Sequence, residues 1–265
     1  MQEGRLTRAP IHETQWIGAV LLQRIMVGLF RKALEEGTTN WDRVLQKVLS
    51  LLLLGALACR LGDITKHNKD THDLPFLCYK DITIKLVGGT RIEHLVALIV
   101  IRNEKAKKLN PRKNRKVSIN AISGAERNIM CPIKLLLASA MRLGALEGPI
   151  ERVLSAAAAR SDKTIRWIPG KERNLVLCAF TPAGTMVMAD KAGLHAGLYK
   201  KVVPHDVRYG SARDTAYLAP IQGNGLTTAH VAAALGHSNN ALRSGITAHY
   251  VDQRSENDWE RRVDT

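Results

Sequence analysis

At 265 residues and 45% apolar composition, the chain has the size of one large domain and enough apolar side chains for a packed core, which argues against global disorder. Lysine and arginine number 39 against 24 acids, and the resulting charge of +15 favours a polyanionic partner, nucleic acid ahead of an anionic membrane. Four scattered cysteines (Cys59, Cys78, Cys131, Cys178) make no C-x-x-C pair, which argues against a zinc ribbon or disulfide scaffold and fits a reducing compartment.

No apolar leader follows Met1. The greasiest run, Leu51–Cys59, is far shorter than the ~18–20 residues that span a bilayer, so it reads as a buried helix. The expectation is a soluble intracellular protein with no membrane partner. Thr14–Glu36 reads as an amphipathic helix ended by Gly37. Asn40 is placed to cap the next helix, whose apolar positions Val44, Leu45, Val48, Leu49, Leu52 and Leu53 repeat at helical spacing. That helix is expected to reach Cys59 or beyond and so to deliver Arg60 near its end, beside the core.

From Phe76 to Ile122 the period changes. Cys78–Leu86 reads as a strand, Val87-Gly-Gly-Thr90 as a tight turn, and Glu93–Ile101 and Lys116–Ile119 as two more strands. A polar turn at Asn110–Asn114 makes the last pair a basic hairpin. Lys105, Lys107, Lys108, Arg112, Lys113, Arg115 and Lys116 all fall on it. From Pro132 onward the chain is mostly helical. The fold class is therefore mainly α with a small antiparallel sheet.

The chemistry concentrates in the last third. His205 and Arg208 stand three apart on the helix predicted over Pro204–Leu218, so both reach one face. An arginine there suits a phosphate, because its rigid fork donates two hydrogen bonds to phosphoryl oxygens. A second helix, Leu226–Leu235, is closed by Gly236 as a left-handed cap, and His237 follows it directly. Tyr250 comes thirteen residues later, with Tyr79, Tyr199, Tyr209 and Tyr217 as competitors. Taken singly, His-x-x-Arg is a helix start, Gly-His a turn and a tyrosine a half-buried core residue. The order of all of them is what points to metal-free strand breakage.

His205-Asp-Val-Arg208, Leu235-Gly-His237 and Thr247-Ala-His-Tyr250 resemble the catalytic boxes of the tyrosine recombinase (phage integrase) family, and Arg60-Leu-Gly-Asp63 resembles its first arginine box. The longer phrases His205–Leu218 and Gly236–Val251 are similar to Crypton-type recombinases. The resemblance covers roughly Asp42 to Asp252. It implies a catalytic domain over 41–265 preceded by a short helical segment over 1–40, too short for the family's DNA clamp. The interval from His237 to Tyr250 is longer than in most bacterial and phage members.

The resemblance also implies roles. Tyr250 attacks a phosphodiester of double-stranded DNA and leaves a 3′-phosphotyrosyl bond. Arg60, supported by Asp63, and Arg208 neutralise the charge, and His205 assists as base. His237 binds the phosphate, and Lys105 protonates the leaving oxygen, with Lys107 and Lys108 as rivals. No metal, ATP or other cofactor is implied. The partners are duplex DNA and further copies of the chain, a tetramer on two duplexes, and a Crypton-like relative acts in a nucleus. The alternatives are a DNA-binding relic of a recombinase that cuts nothing, an unrelated helical nucleic-acid-binding protein, and a metal nuclease. Against the nuclease, His67 and His72 lie near Asp63, Asp70 and Asp73 with no recognised ligand spacing.

Overall fold

Helix α1 (Ala19–Glu35) turns Leu22, Ile25 and Met26 into the core, and Gly37 follows its end at φ +77°, the left-handed conformation expected of a terminating glycine. The computed structural model describes residues 16–65, 76–102, 114–178, 191–217 and 228–237, together with Arg243, Thr247 and Val263. Helix α2 (Trp41–Leu57) starts as the sequence predicts: the Asn40 side-chain oxygen accepts the Arg43 amide at 2.9 Å. Nearly every residue of α2 from Val48 onward is buried, so it forms the spine against which α1 and the later helices pack.

Strands β1 (Ile82–Leu86), β2 (Leu95–Ile101) and β3 (Arg115–Asn120) form an antiparallel sheet in that order, with Ile84 opposite Ala97 and Ile99 opposite Val117. Ile82, Ile84 and Leu86 face inward while Thr83 and Lys85 face out, the alternation of a half-buried strand. The first strand is shorter than expected from Cys78. The Asp81 carboxylate accepts the Cys78 amide at 3.0 Å and winds Tyr79–Asp81 into a 3-10 turn instead. Helices α4 (Pro132–Arg142) and α5 (Ile150–Ala159) follow, α4 entering with proline at its first position, where no amide is needed. The fold is mainly α with a small antiparallel sheet, the class expected from the sequence. Among the described residues no helix is long and apolar enough to cross a membrane.

Three further helices build the region of the site. Helix α6 (Pro204–Tyr217) lies on α2, with Ser211 Oγ donating to the Gly55 carbonyl at 2.9 Å, and α7 (Thr228–Leu235) packs on α6. A short helix, α3 (Leu61–Ile64), leaves α2 after a single left-handed residue, Ala58, at φ +45°. Its methyl group is fully buried against Ala212, Ala216, Val231 and Leu235, which accounts for alanine where a glycine would relax the backbone. We expect Ala58→Val to lower stability by about 2 kcal/mol or more. A β-branched residue is an outlier in that conformation, and overfilling a packed site costs ~1–3 kcal/mol. The midpoint of denaturant unfolding at unchanged slope measures it; an unshifted midpoint would refute the strain.

Candidate active site

Because α2 breaks at Ala58, Cys59, Arg60 and Leu61 turn away from the helix and form one wall of a cavity of about 430 Å³. The opposite wall is Lys201, Val203, Pro204, His205 and Arg208, from the start of α6 and the segment leading into it. Arg60 and Arg208, remote in sequence, therefore meet in one cleft with His205. Asp63 supports Arg60 through the backbone: its buried carboxylate accepts the Arg60 amide at 2.8 Å and caps α3. At the other wall, Asp206 accepts the Val203 amide at 2.9 Å and fixes the turn that presents His205.

Lys201 is a cavity residue that no sequence motif singled out. The only signal was a lysine pair, Lys200-Lys201, immediately ahead of the Pro204-His205 step.

Arg208 is 1% exposed, and two of its N–H groups are committed inside the protein. One donates to the Ala58 carbonyl at 2.6 Å and one to the Leu235 carbonyl at 2.5 Å. Those carbonyls end α2 and α7, where helix dipoles concentrate negative charge, so a buried guanidinium is matched there. Arg115 repeats the device one residue earlier on each helix, donating to Leu57 at 3.0 Å and Ala234 at 2.9 Å. Arg115, expected among the DNA contacts of the basic hairpin, is turned by these bonds toward α2 and α7. It shares the inward face of β3 with Val117 and Ile119, while Lys116 is exposed on the other face.

His237 follows the left-handed cap predicted at Gly236, which has φ +67°. The His237 amide donates to Ala232 at 2.7 Å, and its Nδ1 lies 3.0 Å from Thr247 Oγ1. His237 is not among the residues lining the cavity, but it stands two residues beyond the Leu235 carbonyl that Arg208 holds. The register Ile101 opposite Arg115 puts the C-terminal end of β2 and the start of β3 where Arg115 meets α2 and α7. Lys105, Lys107, Lys108, Arg112 and Lys113 lie outside the described residues, as do Tyr250, His67 and His72.

Of the competing tyrosines, Tyr79 and Tyr209 are engaged in packing. Tyr79 is 1% exposed, and burial, followed by the nearby Cys178, pushes its phenol up to about 12. Tyr199 is fully exposed and outside the cavity lining. The Tyr209 ring is packed edge-on against His205 and Trp16. Tyr217 closes α6.

Fold and site together define a mainly α domain with a three-stranded sheet and a cleft carrying two arginines, a lysine and a histidine. The chain matches no protein-family model and no curated protein. Among solved structures it is similar to the XerH site-specific recombinase bound to its difH substrate before cleavage, at 17% identity and a TM-score of 0.48 over 90% of this chain and 50% of that one. It is also similar to XerH in a post-cleavage complex with palindromic difH, at 17% identity and a TM-score of 0.47 over 89% and 50% of the two chains. A third similar structure is the XerA recombinase, at 16% identity and a TM-score of 0.41 over 92% and 66%. The chain spans half the length of the XerH chain.

Proposed function

We propose that this chain is the catalytic domain of a tyrosine recombinase, of Crypton-like type, which cuts and rejoins double-stranded DNA through a covalent 3′-phosphotyrosyl bond. One observation carries the reading: Arg60, His205 and Arg208 converge on a single cavity. Attack by the Tyr250 hydroxyl builds negative charge on the two non-bridging oxygens of the phosphate. Preorganised guanidinium groups stabilise such charge without reorganising at the moment of reaction. The bonds from Arg208 to Ala58 and Leu235 serve that purpose by fixing the plane of its guanidinium.

His205 takes the phenolic proton, because a tyrosine of ordinary pKa near 10 stays protonated at neutral pH. His237 donates to the phosphate. Lys105 protonates the departing 5′-oxygen from the β2–β3 hairpin, whose root is tied to the site through Arg115. Lys201 adds a cation to the phosphate cleft. Lys107, Lys108, Arg112, Lys113 and Lys116 grip the DNA backbone. The bond energy of the phosphodiester is kept in the phosphotyrosyl link, so rejoining is the reverse attack by the 5′-hydroxyl. On this reading residues 41–265 form the catalytic domain behind a helical segment at 1–40. The working form is an assembly of several copies on two duplexes, acting where the genome lies.

The test is a nicked suicide duplex, from which the short cleaved strand diffuses away and traps the adduct. Incubation in EDTA should give a covalent protein–DNA band on a denaturing gel. DNA retention without that band would favour the binding-only relic. A band that needs added magnesium would favour a metal-dependent nuclease.

A further inference from the structure

His205 stands in the first turn of α6 and lines the cleft. Its ring is packed from behind. The Tyr209 ring, one turn along the same helix, meets the His205 ring edge to face, with centroids 4.6 Å apart and planes at 89°. Trp16 packs against Tyr209 in the same manner, at 5.7 Å and 70°. The Arg213 guanidinium, a further turn along, lies 5.0 Å from the Trp16 ring centroid. Positions 205, 209 and 213 are one stripe of α6, and the tryptophan is inserted into it from the segment ahead of α1.

That segment is anchored independently. The Ile17 amide donates to the Asp206 carbonyl at 3.2 Å, and Asp214 accepts the Ala19 amide at 2.7 Å, capping α1 from α6. Between these two points Gly210 brings the backbones so close that any side chain there would collide with the Ile17 carbonyl. Both anchors lie just C-terminal to the tryptophan and fix the backbone that carries it.

We propose that Tyr209 and Trp16 are positioning residues for His205, so that the chain ahead of α1 sets the orientation of the histidine in the cleft. This rests on the recombinase reading for the role of His205, but not for the stack itself. Each aromatic pair restricts its partner to one ring orientation, and a His205 released to sample its other rotamers spends less time aimed at the phenol. Removing the Tyr209 ring should slow the chemical step by about tenfold, the rate equivalent of one aromatic pair.

The experiment uses the full chain with Tyr209→Leu, Tyr209→Phe and Trp16→Ala, each alone and with His205→Gln. Proton NMR of the His205 ring, assigned by its disappearance in His205→Gln, reads the geometry without activity. Its ring C–H resonances should carry a ring-current shift that moves in Tyr209→Leu and stays in Tyr209→Phe. Single-turnover cleavage of the suicide duplex should fall about tenfold in Tyr209→Leu at unchanged DNA affinity, recover in Tyr209→Phe, and fall less in Trp16→Ala. In the His205→Gln background, Tyr209→Leu should cost nothing further. Unmoved resonances would overturn the proposal. So would an equal loss in both backgrounds, which would mark Tyr209 as a stabilising residue only. A parent chain with the ring shift but no adduct would instead sink the recombinase reading, and the catalytic role with it, leaving the stack as packing.

Discussion

Tyr250→Phe is expected to bind DNA and form no covalent adduct. The substitution removes one hydroxyl and keeps the ring, so every proposed cationic contact to the phosphates is left in place. Affinity should change by tenfold at most, since a neutral hydrogen bond is worth ~0.5–1.5 kcal/mol net. Cleavage should vanish, because Tyr250 is the proposed nucleophile and two of the other tyrosines are already engaged. The Tyr79 phenol is sealed in the core with its proton held to about 12. Tyr209 is the nearest rival in space, but its ring is engaged by His205 and Trp16. The gel assay described for the parent decides it. An adduct of parental yield in Tyr250→Phe would move the nucleophile elsewhere, and Tyr209→Phe would be the first place to look.

Arg60→Ala and Arg208→Ala should both lose cleavage, but for separable reasons. Arg60 lies on the cavity wall, partly exposed. Its truncation should slow single-turnover cleavage by ~10²–10³, the usual loss for one preorganised donor, and leave stability almost unchanged. Arg208→Ala should also unfold more easily, by about 3 kcal/mol or more, since it removes two charge-assisted bonds of ~1.5–3 kcal/mol each. Arg208→Lys should rescue neither property, because a single ammonium on a flexible stem cannot bridge two carbonyls in fixed directions. Denaturant titration beside the cleavage assay separates the two losses. If Arg60→Ala cleaved at the parental rate, the two-arginine cleft would lose its chemical meaning.

Much of this arrangement was legible in the sequence where local rules governed it. Asn40 caps α2 and Gly236 closes α7 as read, because each signal is one side chain or one missing Cβ acting on its own backbone. The break at Ala58 gave no such signal. A helix-favouring alanine takes the left-handed conformation only because its carbonyl is held by Arg208 and its methyl is needed in the packing of α6 and α7. Arg115 is different, since its inward direction follows from the period of two that it shares with Val117 and Ile119. The Trp16–Tyr209–His205 stack was not legible at all, because it joins residues far apart in the chain through a strap with no motif.

The paired arginine clamp has a consequence for how the molecule fails. Two guanidiniums fasten the end of α7 to the end of α2, and one of the two belongs to the cleft itself. If α7 detaches, Arg208 loses the Leu235 carbonyl that fixes it, and the segment carrying His237 departs in the same event. Partial unfolding at that end therefore dismantles the proposed phosphate site rather than leaving it exposed. For a protein proposed to open DNA strands, this is a fail-safe: a chain that has come loose at its C-terminal helices has also lost the means to cut, so damage to the fold yields an inert molecule and not a nicking one.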